Sequence, residues 1–159
     1  MTQSAQSSST RTARCRSAQI VINADPATIF DVLADPSQHP LFDGSGTVKG
    51  RVAGPPRLYL GATFAMRMRW GAPYLIRMRV VEFDEDRRLA WRHPMRHIWR
   101  YELKPVSDGT QLTESFDYAP SPAAPIFERA GIPEHNHQSI EATLQRLKVL
   151  VESRAITAA

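Results

Sequence analysis

The sequence predicts an α+β domain in which a curved antiparallel sheet wraps around a long C-terminal helix. Three observations carry that reading. Between Pro133 and Ser153, Ile140, Leu144, Leu147 and Val151 fall at i, i+4, i+7 and i+11, which paints one apolar stripe along a 3.6-residue helix. Almost everything from Gly46 to Tyr118 alternates apolar and polar residues, the period of half-buried strands. These runs are joined by short turns, so successive strands pair antiparallel as a meander. A helix with one greasy face needs a sheet to bury it.

The elements follow in order. Ala18, Ile20 and Ile22 alternate with Gln19, Val21 and Asn23, giving a first strand over Ser17 to Asn23. Asp25 is a good N-cap and Pro26 a good first helical residue, with Ile29, Phe30 and Leu33 at helical spacing behind them. A short helix therefore spans Pro26 to Ala34. Asp35-Pro36 breaks it, and Pro36 to Phe42 forms a second short helix or turn. Gly46 to Val52 is a candidate strand. Gly61 to Trp70 places Phe64, Met66, Met68 and Trp70 on one face, with Arg67 and Arg69 on the other. After a turn at Gly71-Ala72-Pro73, Tyr74, Ile76, Met78 and Val80 oppose Arg77 and Arg79. Leu89, Trp91 and His93 alternate with Arg88, Ala90 and Arg92; Trp99, Tyr101 and Leu103 alternate with Arg100, Glu102 and Lys104. Ser107-Asp108-Gly109 marks a hairpin, and Leu112, Glu114 and Phe116 follow it. The Pro-rich stretch after Tyr118 is an irregular connection with a brief helical turn around Ile126 and Phe127, long enough to serve as a lid. Pro133 suits the first turn of the terminal helix, and Asn136 is an alternative cap.

A chain of 159 residues, 42% of them hydrophobic, is most economically one domain with a real core. No apolar run reaches the length of a membrane span. Residues 1–16 are rich in Ser, Thr, Gln and Arg without an apolar segment, and read as a disordered basic tail, neither a secretory signal nor an amphipathic presequence. Residues 17–154 form the domain and 155–159 a C-terminal tail. The single cysteine, Cys15, cannot make an internal disulfide, which fits a reducing, cytoplasmic setting; it reads as an incidental exposed thiol.

The apolar face collects Met66, Met68, Trp70, Tyr74, Ile76, Met78, Trp91, Trp99, Tyr101 and Phe116, with all three tryptophans among them. Adaptable methionines and flat aromatic rings suit a planar or lipid-like ligand, although a sheet buries such residues in any core. His93, Glu114 and the edge of Tyr101 share that parity. A buried carboxyl must pair, take a proton or meet a ligand, so Glu114 with His93 or Tyr101 is a candidate acid/base group, or simply a satisfied structural hydrogen bond. His137 extends the helical stripe backwards toward a cavity mouth. A metal site from His93, His97, His135 and His137 has poor spacing and no completing carboxylate or cysteine. No phosphate-cradling glycine motif and no nucleophile elbow occur. No cofactor is expected.

The net charge of +4 lies partly in the tail and mostly in arginines on strands. Arg67, Arg69, Arg77, Arg79, Arg88, Arg92 and Arg100 form an outward face, staggered with Glu82 and Glu102 or offered to something acidic. Nucleic acid is not expected, because the aromatics lie on the opposite face and cannot interleave with these charges.

Three stretches carry a resemblance to a known family: Ile20 through Leu33 with its Asn-Ala-Asp-Pro entry, Trp99 through Phe116 around Asp108-Gly109-Thr110, and Glu141 through Lys148. Together they resemble the START/Bet v1-like (SRPBCC) superfamily of helix-grip folds, in particular its polyketide cyclase/dehydrase-like branch. The resemblance implies a cavity between sheet and helix that takes apolar or aromatic molecules. It thus implies binding, with transport as an extension of it, of a hydrophobic or aromatic small molecule. The competing readings are a polyketide cyclase/aromatase-type enzyme using Glu114, His93 and Tyr101, and an interaction module whose arginine face binds an acidic protein partner.

Overall fold

The computed structural model describes residues 9–159. Its strands are β1 (Ser9–Thr12), β2 (Cys15–Ile22), β3 (Val48–Ala53), β4 (Thr63–Trp70), β5 (Ala72–Asp84), β6 (Arg88–Arg92), β7 (Ile98–Val106) and β8 (Gly109–Asp117). Its helices are α1 (Pro26–Ala34), α2 (His39–Phe42), α3 (Ala124–Arg129) and α4 (Ile132–Ala158), with a single 3-10 turn at Pro36–Gln38. The eight strands form one antiparallel sheet in the order β1-β2-β8-β7-β6-β5-β4-β3. β3 to β8 are the expected meander, and the N-terminal hairpin docks on its last strand.

The terminal helix lies where its stripe requires. Ile140, Leu144, Leu147 and Val151 are each at most 1% exposed, packed on β2 and β8. On the far side the Lys148 ammonium donates to Glu152 at 2.6 Å and to the Val21 carbonyl at 2.8 Å, and Glu152 accepts from the Asn23 amide. These bonds tie the helix end to the exit of β2. Asp25 caps α1 by accepting from the Thr28 amide at 2.8 Å, with Pro26 at the first helical position. The preceding residue for α4 is Gly131, left-handed at φ 69°, rather than Asn136.

Two boundaries differ from the sequence reading. Residues 9–16 are not a free tail. Thr12 pairs with Cys15 and Ser9 with Ala18 in an antiparallel hairpin turned at Arg14, φ 58°. An edge strand is held by backbone hydrogen bonds and needs no apolar side chain, so composition did not signal it. Cys15 is accordingly half-buried in β2. Arg14 and Arg16 reach the α3–α4 region as ion pairs with Glu128 and Glu134, each at 3.1 Å. Residues 1–8 of the expected tail lie outside the described residues. At the other end, α4 continues through 155–158, which were expected to be tail; Arg154 donates to Gln38 at 2.6 Å and Thr157 to the Ser153 carbonyl.

The two sheet faces separate by chemistry. Phe64, Met66, Met68, Met78 and Val80 are buried, and Arg67, Arg69, Arg77 and Arg79 are exposed. Between Val80 and Glu82 the register slips by one residue, a bulge at Val81. It turns Phe83 inward, edge-on against Phe30 at 5.3 Å, and Glu82 outward. There Glu82 accepts two hydrogen bonds from Arg100, at 2.7 and 2.9 Å, and Arg88 pairs with Glu102 at 2.8 Å. Among the described residues no carboxylate stands within ion-pair distance of Arg67, Arg69, Arg77, Arg79 or Arg92.

Candidate functional site: a cavity between sheet and helix

The sheet curves away from α4 over β4 to β7, and the space left is a cavity of about 290 Å³. Of the residues expected on the inward face, Met66, Met68, Met78, Trp91, Tyr101, Glu114 and Phe116 are buried on its wall. Ile76, His93 and Trp99 are half-buried on the same wall. Trp70 and Tyr74 also line it but are 65% and 40% exposed. They stand at the β4–β5 tip and form the mouth. There the Trp70 ring stacks on His135 at 5.8 Å.

His137 is the exception and is a correction. It is buried in α4 but off the cavity wall, with Nε2 at 3.6 Å from Glu141. α4 faces the cavity with Ile132 and His135 at its start and then with Asn136, Ser139 and Thr143, at i, i+3 and i+7. This line runs beside the apolar stripe, which dives into solid core. Ile126 is likewise corrected: it is 66% exposed, and Phe127 alone of that pair reaches the wall. Its ring sits 5.5 Å from His97 and 6.4 Å from Phe116.

The structure adds residues that periodicity did not find. His39, Phe42, Asp43, Ser45, Thr47 and Val48 close one side, and Met95 and His97 come from the β6–β7 turn. The Asp-Gly-Ser sequence after α2 was the available signal. Asp43 Oδ1 accepts from the Ser45 amide and hydroxyl at 3.0 and 2.7 Å, and Oδ2 accepts from the Val48 amide at 3.0 Å. Gly44 between them presses on α4. Its amide donates to Thr143 Oγ1 at 2.8 Å, and a Cβ there would sit 2.4 Å from the Ser139 oxygen and the Thr143 nitrogen. Only glycine lets the loop approach this closely.

The polar groups on this wall centre on Glu114 and on the histidines around it. The Tyr101 hydroxyl donates to Glu114 Oε1 at 2.9 Å, and the other carboxyl oxygen, Oε2, is buried without a partner. Burial pushes the Glu114 carboxyl well above the ordinary glutamate range; the Tyr101 hydrogen bond pulls back, and the charge of Asp43 adds to the push. Burial and Glu114 together raise the Tyr101 phenol, which keeps its proton. His93 and His97 stack at 4.4 Å, so their rings lie face to face instead of converging on a metal. Burial, and then His97, hold His93 well below the usual histidine value, and burial lowers His97 to about 4. His97 is half-buried, yet its Nδ1 is sealed from solvent and unpartnered. His39 Nε2 donates to the Leu33 carbonyl at 2.9 Å while its ring stacks on Trp91 at 5.2 Å, and burial lowers its pKa too. Among the described residues no lysine or arginine lies on the wall. Among the described residues no three His, Cys, Asp or Glu side chains group as metal ligands would, and no helix is long and apolar enough to cross a membrane.

An antiparallel sheet gripping one long helix over an apolar cavity is the helix-grip arrangement of the SRPBCC superfamily. The chain belongs to the polyketide cyclase / dehydrase and lipid transport family, whose profile matches residues 14–152. It is 36% identical over 137 residues to Rv0088, an uncharacterized protein of Mycobacterium tuberculosis, covering 82% of this chain and 61% of that one. The chain thus spans about three fifths of the curated relative. The fold is shared with a Rhodobacter sphaeroides protein at 15% identity and TM-score 0.72, over 93% of this chain and 99% of that one. It is shared also with an AHSA1-like protein of Aeromonas hydrophila at 17% identity and TM-score 0.63, over 89% and 94%. Family and fold together describe a domain of the hydrophobic-ligand-binding kind.

Proposed function

We propose that the cavity binds a hydrophobic or aromatic small molecule, with Met66, Met68, Ile76, Met78, Trp91, Trp99 and Phe116 as its contact surface and Trp70 and Tyr74 at its entrance. One observation carries this reading: about 290 Å³ of space stands open behind a wall of methionine and aromatic side chains. Cores of this size are ordinarily filled to crystal-like density. A fluorescent hydrophobic probe titrated into the folded protein tests it. Saturable uptake is expected, and Met68→Trp or Met78→Trp should abolish uptake at small loss of stability by filling the space. In a packed core the same changes would overpack and cost roughly 1–3 kcal/mol. Absence of saturable uptake, with both variants destabilised, would mean the space is not a binding site.

The unpartnered Glu114 Oε2 beside Tyr101 supports a second reading, a cyclase/aromatase-type enzyme that uses Glu114, with Tyr101 and His93 near it, as proton donor or acceptor. Turnover of a polyketide-like substrate that is lost in Glu114→Gln while binding persists would favour it. The five arginines without carboxylate partners support an acidic protein partner as a third; capture that vanishes at high salt is its test.

A further inference from the structure

The cavity has a polar spot as well as an apolar wall. Two buried atoms on it lack partners, Glu114 Oε2 and His97 Nδ1. An unpaired buried polar atom is destabilising, and nearly all such atoms in folded proteins find a partner. Both are closed to water, but both belong to residues that line the open space, so a small side-chain rotation would bring them to a ligand. We propose that Glu114 serves as a neutral hydrogen-bond donor inside the cavity, and that the cavity selects uncharged apolar molecules bearing an acceptor oxygen, such as an aryl ketone, over lipids that carry a carboxylate, sulfonate or phosphate. The inference rests on the binding reading above and narrows its ligand.

The argument is one of charge. An anionic head group needs a cation, and among the described residues neither lysine nor arginine lies on the wall. The other titratable groups on the cavity wall are Tyr101 from β7, Tyr74 from β5, His93 and His97 from the β6–β7 turn, His39 and Asp43 from α2 and its exit, and His135 from α4. His39, His93 and His97 are held neutral by burial at ordinary pH, and His135 stacks on Trp70 at the mouth. Asp43 is fixed by three hydrogen bonds from its own loop and opposes a second negative charge nearby. Burial keeps the proton on the carboxyl, and because Oε1 is engaged by the Tyr101 hydroxyl, that proton sits on Oε2. A protonated Oε2 is a donor with no partner in the protein at the edge of apolar space, and a carbonyl oxygen is its complement.

Four naphthalene probes of similar size test this: prodan, a neutral ketone; ethylnaphthalene, a hydrocarbon; anilinonaphthalene sulfonate, an anion; and naphthylethylammonium, a cation. Prodan should bind best and the sulfonate at least about tenfold more weakly. Glu114→Leu should weaken prodan by about tenfold, the loss of one buried hydrogen bond, and leave ethylnaphthalene uptake in place, which also reports that the variant folds. Glu114→Gln, whose amide donates like the protonated acid, should recover most of the lost ketone affinity. Wild-type affinity for prodan should fall as pH rises and Glu114 ionises, and that of the Gln variant should stay flat. Equal binding of sulfonate and ketone overturns the inference, as does prodan binding that ignores Glu114→Leu. Tightest binding of the ammonium, dependent on Glu114, overturns it by showing an ionised carboxylate. Failure of every probe, ethylnaphthalene included, instead overturns the binding reading.

Discussion

Glu114→Gln should stabilise the folded protein, and more so as pH rises. The carboxyl is 3% exposed, bonded only to Tyr101, and its proton is held far more tightly in the folded chain than in the unfolded one. Above the ordinary glutamate value the unfolded chain releases this proton and the folded chain retains it. Folding there takes up a proton, so stability is fully present below about pH 4.5 and declines as pH climbs toward the raised folded value. Each pH unit inside that window costs roughly 1.4 kcal/mol. At about 2–4 °C per kcal/mol for a chain of this length, each such unit corresponds to roughly 3–6 °C in melting temperature. Glutamine keeps the Tyr101 bond and has nothing to titrate. Urea unfolding of both proteins at pH 5 and pH 8 measures the difference, and subtraction cancels His93 and His97, which titrate equally in each. The gap should be small at pH 5 and wide at pH 8. Parallel stability curves would show that Glu114 titrates like an exposed glutamate, and the account of a dry, protonated carboxyl would be wrong.

Removal of residues 1–16 should lower stability by about 1–3 kcal/mol, because it strips an edge strand of its ladder and orphans the Tyr118 amide that donates to the Arg14 carbonyl; an unchanged thermal melt would show that the hairpin contributes nothing. Gly44→Ala should push the loop off α4, cost roughly 1–3 kcal/mol, and disturb probe uptake through Asp43 and Thr143, readable in one titration and one melt. Glu82→Gln should cost roughly 1 kcal/mol at pH 7. The Arg100 hydrogen bonds hold the Glu82 carboxyl below its usual value, so its contribution is present above about pH 4.5 and is lost as pH falls through the depressed folded value; there the variant and wild type should converge.

The sequence made the helix and the meander legible because each buries one face, and a buried face leaves a period. Ile140 to Val151 and Phe64 to Met68 are cases where period and burial coincide. Period says which way a side chain points but not what covers it. Trp70 and Tyr74 therefore have inward parity and are still open to solvent at the strand tips. The cavity side of α4 was hidden for a related reason. Asn136, Ser139 and Thr143 are polar, and the hydrophobic stripe drew His137 in their place. The loop after α2 supplies Asp43 and Ser45 through hydrogen bonds within the loop, which follow no period. Glu114 was visible as a carboxyl on an apolar strand face, but only the cross-strand register, Tyr101 opposite Glu114, separates Tyr101 from His93 as its partner.

The outer face of the sheet bears on how copies of this chain behave together. Arg79 lies directly across from Arg92 in the β5–β6 register, with Arg67, Arg69 and Arg77 on neighbouring rows. Two sheets brought face to face would set these guanidinium groups against their equivalents. Each like-charged pair at contact is unfavourable by about 1 kcal/mol even in water, and the repulsion reaches about 8 Å at physiological ionic strength. Crowded molecules thus hold one another off on the side that exposes Leu75, and added salt, rather than heat, is what should first let them clump.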